Sequence, residues 1–192
     1  MSNFDINDFK DLADIISANK ESLKEVTAST NVGGSFAPLP DGYYLTELEE
    51  MNLIRTKNTN KPMISAKFRV QEDGKKLNDK KKLEDIPNVA NRIIFQNWVI
   101  NGKLEDPEGK SYKRYKSDAL KLVEKDLDEE QLAQFSELLD DVQTLPSVFD
   151  ALVGYQVWIR VTSKPDKTDP SKINTNSDLI DWKIITDLGI SE

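Results

Sequence analysis

Pro62-Met-Ile-Ser-Ala-Lys-Phe-Arg-Val-Gln71 is the stretch that decides the fold. Ile64, Ala66, Phe68 and Val70 take one side of an extended chain, while Met63, Ser65, Lys67, Arg69 and Gln71 take the other. Strict two-residue alternation predicts an antiparallel strand with one face in a core and one in water. The wet face carries two cations although the chain has a net charge of −8. Residues 155–162 repeat the scheme, with Tyr155, Val157, Ile159 and Val161 on one side and Gln156, Trp158, Arg160 and Thr162 on the other. An exposed Trp beside an Arg on a sheet is suited to stack a base and neutralise a phosphate of a single nucleic-acid strand. The bland alternative is that such residues only cover a sheet.

Further strands follow from the same reading. Residues 43–54 form a long strand whose apolar parity switches: Tyr43 and Leu45 share one side, Leu48 takes the other, and Met51 and Leu53 return. A switch of this kind predicts a bulge or a sharp coil, as barrels need. Residues 55–62 read as the turn into the opening strand, and residues 72–91, polar and Lys-rich, as a long mobile connection. A third strand covers residues 92–100, where both faces are apolar and alternation assigns no inside. Residues 102–116 read as a loop. Helices come next, with Ser117 or Asp118 as a cap, then a capping box from Asp128 to Gln131, then a short helix opened by Pro146 and stopped by Gly154. The fourth strand starts there, and residues 179–186 read as a fifth, with Ile180, Trp182 and Ile184 on one face.

Three strands, a helical insert and two strands is the order of a mainly β, five-stranded OB-fold Greek-key barrel with its helices between strands 3 and 4, the expected fold, although the same order also occurs in unrelated α+β sheets. Residues 1–33 are expected to be a helical extension and linker, with helix over 5–27 and a flexible Asn31-Val-Gly-Gly-Ser35; residues 34–192 are the binding domain. The extension is a candidate for self-association.

Composition narrows the chemistry. The chain has 192 residues without Cys or His, which removes thiol and imidazole catalysis, disulfides and the usual zinc ligand sets. No cofactor, metal or enzymatic activity is expected. Gly109-Lys110-Ser111 resembles the end of a phosphate loop, but Leu104 stands where that motif needs Gly. Asp126, Asp128 and Glu130 lack the Gly of a calcium loop. No apolar run approaches the roughly 20 residues of a membrane span, and the start of the chain has no signal-peptide pattern. The expected setting is cytoplasmic.

Charge is segregated along the chain. Residues 55–82 hold ten Lys or Arg against three acids, whereas residues 124–150 hold nine acids against Lys125 alone. One basic and one acidic face are therefore expected.

Pro40-Asp-Gly-Tyr-Tyr44, Asn60-Lys-Pro-Met-Ile64 and Ala151-Leu-Val-Gly-Tyr-Gln-Val-Trp-Ile159 resemble small phage-encoded single-stranded-DNA-binding proteins with an OB-fold. The resemblance spans residues 38–186. It implies non-sequence-specific binding of single-stranded DNA in phage DNA replication or recombination, inside the infected host cell, with phage or host replication and recombination proteins as further partners. Better-known bacterial single-strand binders end in an acidic tip closing on an aromatic residue; this chain ends Asp187-Leu-Gly-Ile-Ser-Glu192, so no recruiting tail is implied.

The candidate nucleic-acid-binding residues are Lys57, Lys67 and Arg69, then Trp98, then Tyr112, Arg114 and Tyr115 in a loop expected to clamp a strand, and Trp158 with Arg160. Stacking on one aromatic is worth about 1–3 kcal/mol per base whatever the base. The alternative is a protein-interaction module, an inhibitor or assembly factor, working through the acidic helical surface.

Overall fold

The structure, a computed structural model, describes residues 38–100, 110–141, 143–169 and 173–190. The expected N-terminal helices, their linker and the self-association assigned to them lie outside the described residues, as do residues 102–109 of the expected loop.

The opening stretch is a strand, β2 (Pro62–Val70), in which Ile64, Ala66, Phe68 and Val70 are buried as the alternation predicts. It pairs antiparallel with β1 (Gly42–Arg55) on one side and β5 (Ile93–Val99) on the other. The expected irregularity in β1 is a register shift between Leu48 and Glu50. Before it Tyr44, Thr46 and Leu48 face the core; after it Met51 does. Tyr43 and Leu45 lie on the opposite face, so the apolar side switches once, at Glu49, and not twice.

Residues 72–91 are not a structureless connection. They contain the hairpin of β3 (Gly74–Leu77) and β4 (Leu83–Ile86). Its strands are rich in Lys and acid, which hides them from a hydrophobic pattern. Lys75 pairs with Asp85 at 2.7 Å and Lys76 with Glu84 at 3.4 Å across the ladder. Gly74 is required at its place, because a Cβ there would lie 2.4 Å from the Tyr44 ring. Ile86 and Val89 anchor the segment in the core.

The helices are α1 (Lys110–Val123), α2 (Glu129–Leu138), α3 (Leu145–Leu152) and α4 (Trp182–Asp187). The capping box at Asp128 and Gln131 is present, and Gly154 leaves α3 with φ +92°, a conformation that favours glycine. Two boundaries differ from expectation. Residues 112–116 belong to α1, so Asp118 is buried inside the helix and is no cap. The last strand is β7 (Ile173–Ile180), and what reads as the rest of a strand is α4, opened by Asp181 accepting from the Lys183 N–H. Asn174-Thr-Asn-Ser-Asp178 is too polar to show as a strand by pattern.

β6 (Gln156–Pro165) pairs with the first half of β1 and with β7. The succession is β5-β2-β1-β6-β7, with β3 continuing along β1 beyond the end of β2. The sheet therefore has seven antiparallel strands, not five, and is open, not a closed barrel: no ladder joins β5 to β7 among the described residues. A side-chain hydrogen bond from Ser177 to Gln96 crosses that seam.

The main core lies between the inner face of the sheet and α1 with α3. Tyr44, Phe68, Ile64, Tyr115, Leu122 and Leu152 are among its wholly buried members, each contributing about 1.5–3 kcal/mol by leaving water. Trp98, Tyr115 and Phe149 stack edge to face through it. A second, smaller cluster on the other face holds Trp158, Ile180, Ile185 and Ile190, with Tyr43 and Leu45 at its margin.

Candidate nucleic-acid interface

The register decides which candidate residues share a surface. Glu47 of β1 pairs with Arg69 of β2 and with Gln156 of β6. By the two-residue period, Lys67, Arg69, Trp158 and Arg160 all belong to the outer face of the sheet. The outer face is not uniformly wet, however. The segment containing α4 lies over its β6 portion, and Trp158 is only 3% exposed. A complete inner row of Val157, Ile159 and Val161 leaves Trp158 outside that row, as expected, but a second apolar layer covers it. Its ring has no open face for a base.

Three other aromatic candidates are likewise structural. Trp98 is buried, and its Nε1–H donates to Asp118 Oδ2 at 2.9 Å. Tyr115 is wholly buried between Trp98, Tyr112 and Phe149, and burial holds its hydroxyl well above the usual phenol range. Tyr112 is half-buried and donates its hydroxyl to the Leu139 carbonyl. The 112–116 segment is thus a turn of α1 that sends its aromatics inward and leaves Lys113 and Arg114 exposed, not a loop. Its aromatics recur at the three-residue spacing of one helical face.

Among the described residues the exposed ring is Phe95, at 46%. On β5, Ile94, Gln96 and Trp98 turn inward, leaving Phe95 and Asn97 outside. Because the strand has apolar residues on both sides, the sequence pattern does not single Phe95 out. Its direct cross-strand partner is Lys67.

Phe95 also lines a polar groove of about 670 Å³ along the seam between β5 and the β6–β7 hairpin. Arg114, Arg160 and Lys164 supply cations to its wall, and Asn97, Thr162, Thr175 and Asn176 supply amides and hydroxyls. The hairpin is pinned at its tip by Asp166, which accepts from Thr168, Asp169 and Asn174. The hydrogen bonds from Thr168 and Asn174 hold that carboxyl well below the usual carboxylate range.

The cations come in pairs. Glu49, at the β1 bulge, takes Lys67 Nζ at 2.9 Å and the guanidinium of Arg69. These hydrogen bonds, Arg69's first, lower the Glu49 pKa. Asp178 takes Arg114 at 2.8 Å and Arg160 at 3.3 Å. In each cluster two positive charges meet one carboxylate, which leaves an excess of one. Arg114 is steadied from below by the buried Asp118, whose oxygens also take Trp98 and, at 2.8 Å, Lys121.

The structure thus unites Arg114 and Arg160 in one groove and sets Lys67 beside Phe95. Lys57 is exposed in the β1–β2 turn and does not line the groove. Phe95 and Lys164 are groove residues that sequence reasoning missed. Among the described residues no group of three or more acids is placed to hold a metal ion, and no helix is long and apolar enough to cross a membrane. No family matches this chain, and no curated protein matches it.

Proposed function

We propose that the chain binds single-stranded DNA without sequence specificity, through the outer face of β2 and β5 and the adjoining groove. The observation that carries the reading is Phe95, an exposed ring with Lys67 opposite it in the ladder and Arg114 and Arg160 sharing its groove. A base stacked on Phe95 places the phosphates on either side of it toward the Lys67–Arg69 pair and the Arg114–Arg160 pair. One stack of about 1–3 kcal/mol with a few phosphate contacts is the minimal unit of sequence-tolerant binding.

We read the strand succession as an OB-type barrel whose last seam is bridged by Ser177 and Gln96 in place of a ladder. OB-folds are partly open Greek-key barrels that take oligonucleotides on strands 2 and 3 and the flanking loops. β2 and β5 are the second and third long strands here. A role in phage DNA replication or recombination belongs to the same proposal.

A second reading, a protein-interaction module, is favoured by α2, which buries none of its residues and exposes Leu138 among Glu129, Glu130 and Glu137. Oligo-dT titration of the full chain at two salt concentrations separates the two. Binding that weakens steeply with salt supports the first reading; no binding at low salt leaves the second.

A further inference from the structure

Resting on the single-strand reading of the groove, we propose that Asp178 is a built-in phosphate placeholder, and that an entering phosphodiester displaces its carboxylate from Arg114 and Arg160. The two guanidinium groups arrive from different elements, α1 and β6, and converge on opposite oxygens of this one carboxylate. Arg160 is Asp178's cross-strand partner in the β6–β7 ladder. Arg114 is anchored separately, with its Nε 3.8 Å from the buried Asp118 and its Nη2 donating to the Ser177 carbonyl at 3.3 Å. The fork therefore keeps one anchor that does not depend on Asp178.

A carboxylate and a phosphodiester present the same feature to a guanidinium, two anionic oxygens in one plane. Asp178 is a weak incumbent, because its side chain is 37% exposed and those of its partners are 52% and 45% exposed, so water screens the pairs. A phosphate of a strand lying on Phe95 gains contacts that the carboxylate lacks. Asp178 holds the two guanidinium groups in place while the groove keeps a positive excess, three cations against this one carboxylate, and the observed affinity is the difference between two competing anions.

The test is oligo-dT affinity of the full chain, wild type against Asp178→Asn and Asp178→Ser, each with its own melting curve. Asp140→Asn serves as the charge control, since Asp140 pairs with Lys116 away from the groove. Removing the competitor is expected to tighten binding roughly 5- to 10-fold at low salt, and to steepen the dependence of log K on log salt by about 0.7, one phosphate on a single strand. The gain should vanish in an Arg114→Ala, Arg160→Ala background. Unchanged or weaker binding by both folded Asp178 variants, or an equal gain from Asp140→Asn, overturns the placeholder role. If the double arginine variant still weakens binding in that case, the single-strand reading stands without it. If wild type binds no oligo-dT at low salt, both fall.

Discussion

Lys67 and Phe95 stand opposite each other in the β2–β5 ladder, on the face of the sheet away from the core. A cation beside an exposed ring supplies the two contacts one nucleotide offers, a base plane and a phosphate. Lys67→Ala is therefore expected to weaken oligo-dT binding at low salt and to lower the salt slope by about 0.7. Titrations at four salt concentrations measure both. A weaker affinity with an unchanged slope would show that Lys67 acts by another route.

Trp158 is predicted to matter for stability and not for binding. It fills the cluster with Ile180, Ile185 and Ile190 under α4, and its buried Nε1–H finds no acceptor among the described residues. Trp158→Ala should cost roughly 3–5 kcal/mol. Trp158→Phe should cost far less, because the aromatic volume is largely kept and an unsatisfied donor is removed. Urea denaturation gives both values. A stable alanine variant with lost DNA binding would contradict the burial account.

Asp118 is the buried charge on which Trp98, Lys121 and Arg114 depend. Asp118→Ala leaves the Trp98 N–H without its acceptor and Lys121 with the Leu179 carbonyl but no counter-charge, a loss of roughly 3 kcal/mol or more. Chemical denaturation checks it. A loss within the range of a surface substitution would show that water compensates these groups.

Glu49 and Asp166 give the acid sensitivity a direction. Both carboxyls are held below the ordinary range, Glu49 by Arg69 and Lys67, and Asp166 by Thr168 and Asn174. A depressed folded pKa adds stability above the unfolded value of about 4 and loses it as pH falls through the lower folded value. Glu49→Gln and Asp166→Ala should thus be less stable than wild type at pH 7 and converge with it in strong acid. Melting curves from pH 7 to 2 show this. A constant gap across that range would remove these groups from the acid response.

The elements legible in the sequence were those with one dry face. β2 and β6 alternate strictly, the parity switch in β1 marks its bulge, and the Asp128–Gln131 spacing marks the start of α2. β3, β4 and β7 were hidden because their stability comes from charge pairs, a glycine under Tyr44 and the neighbouring ladder, none of which has a hydrophobic period. The cations of the site were legible for a simple reason: Lys67, Arg69 and Arg160 occupy the wet parity of their strands. Its aromatic was not. Period 2 places Trp158 outside the inner face correctly, yet only tertiary structure shows that α4 covers it and that Phe95 remains open.

The most direct measurement compares oligo-dT affinity of wild type and Phe95→Ala at low salt, with melting curves for both. With 46% of Phe95 exposed, the substitution should shift the melting temperature little. The account predicts that Phe95→Ala loses about 1–3 kcal/mol of binding free energy, roughly a 5- to 150-fold weaker affinity. Equal affinity of a folded Phe95→Ala variant would contradict the stacking site, and absence of binding by wild type would contradict single-strand binding itself.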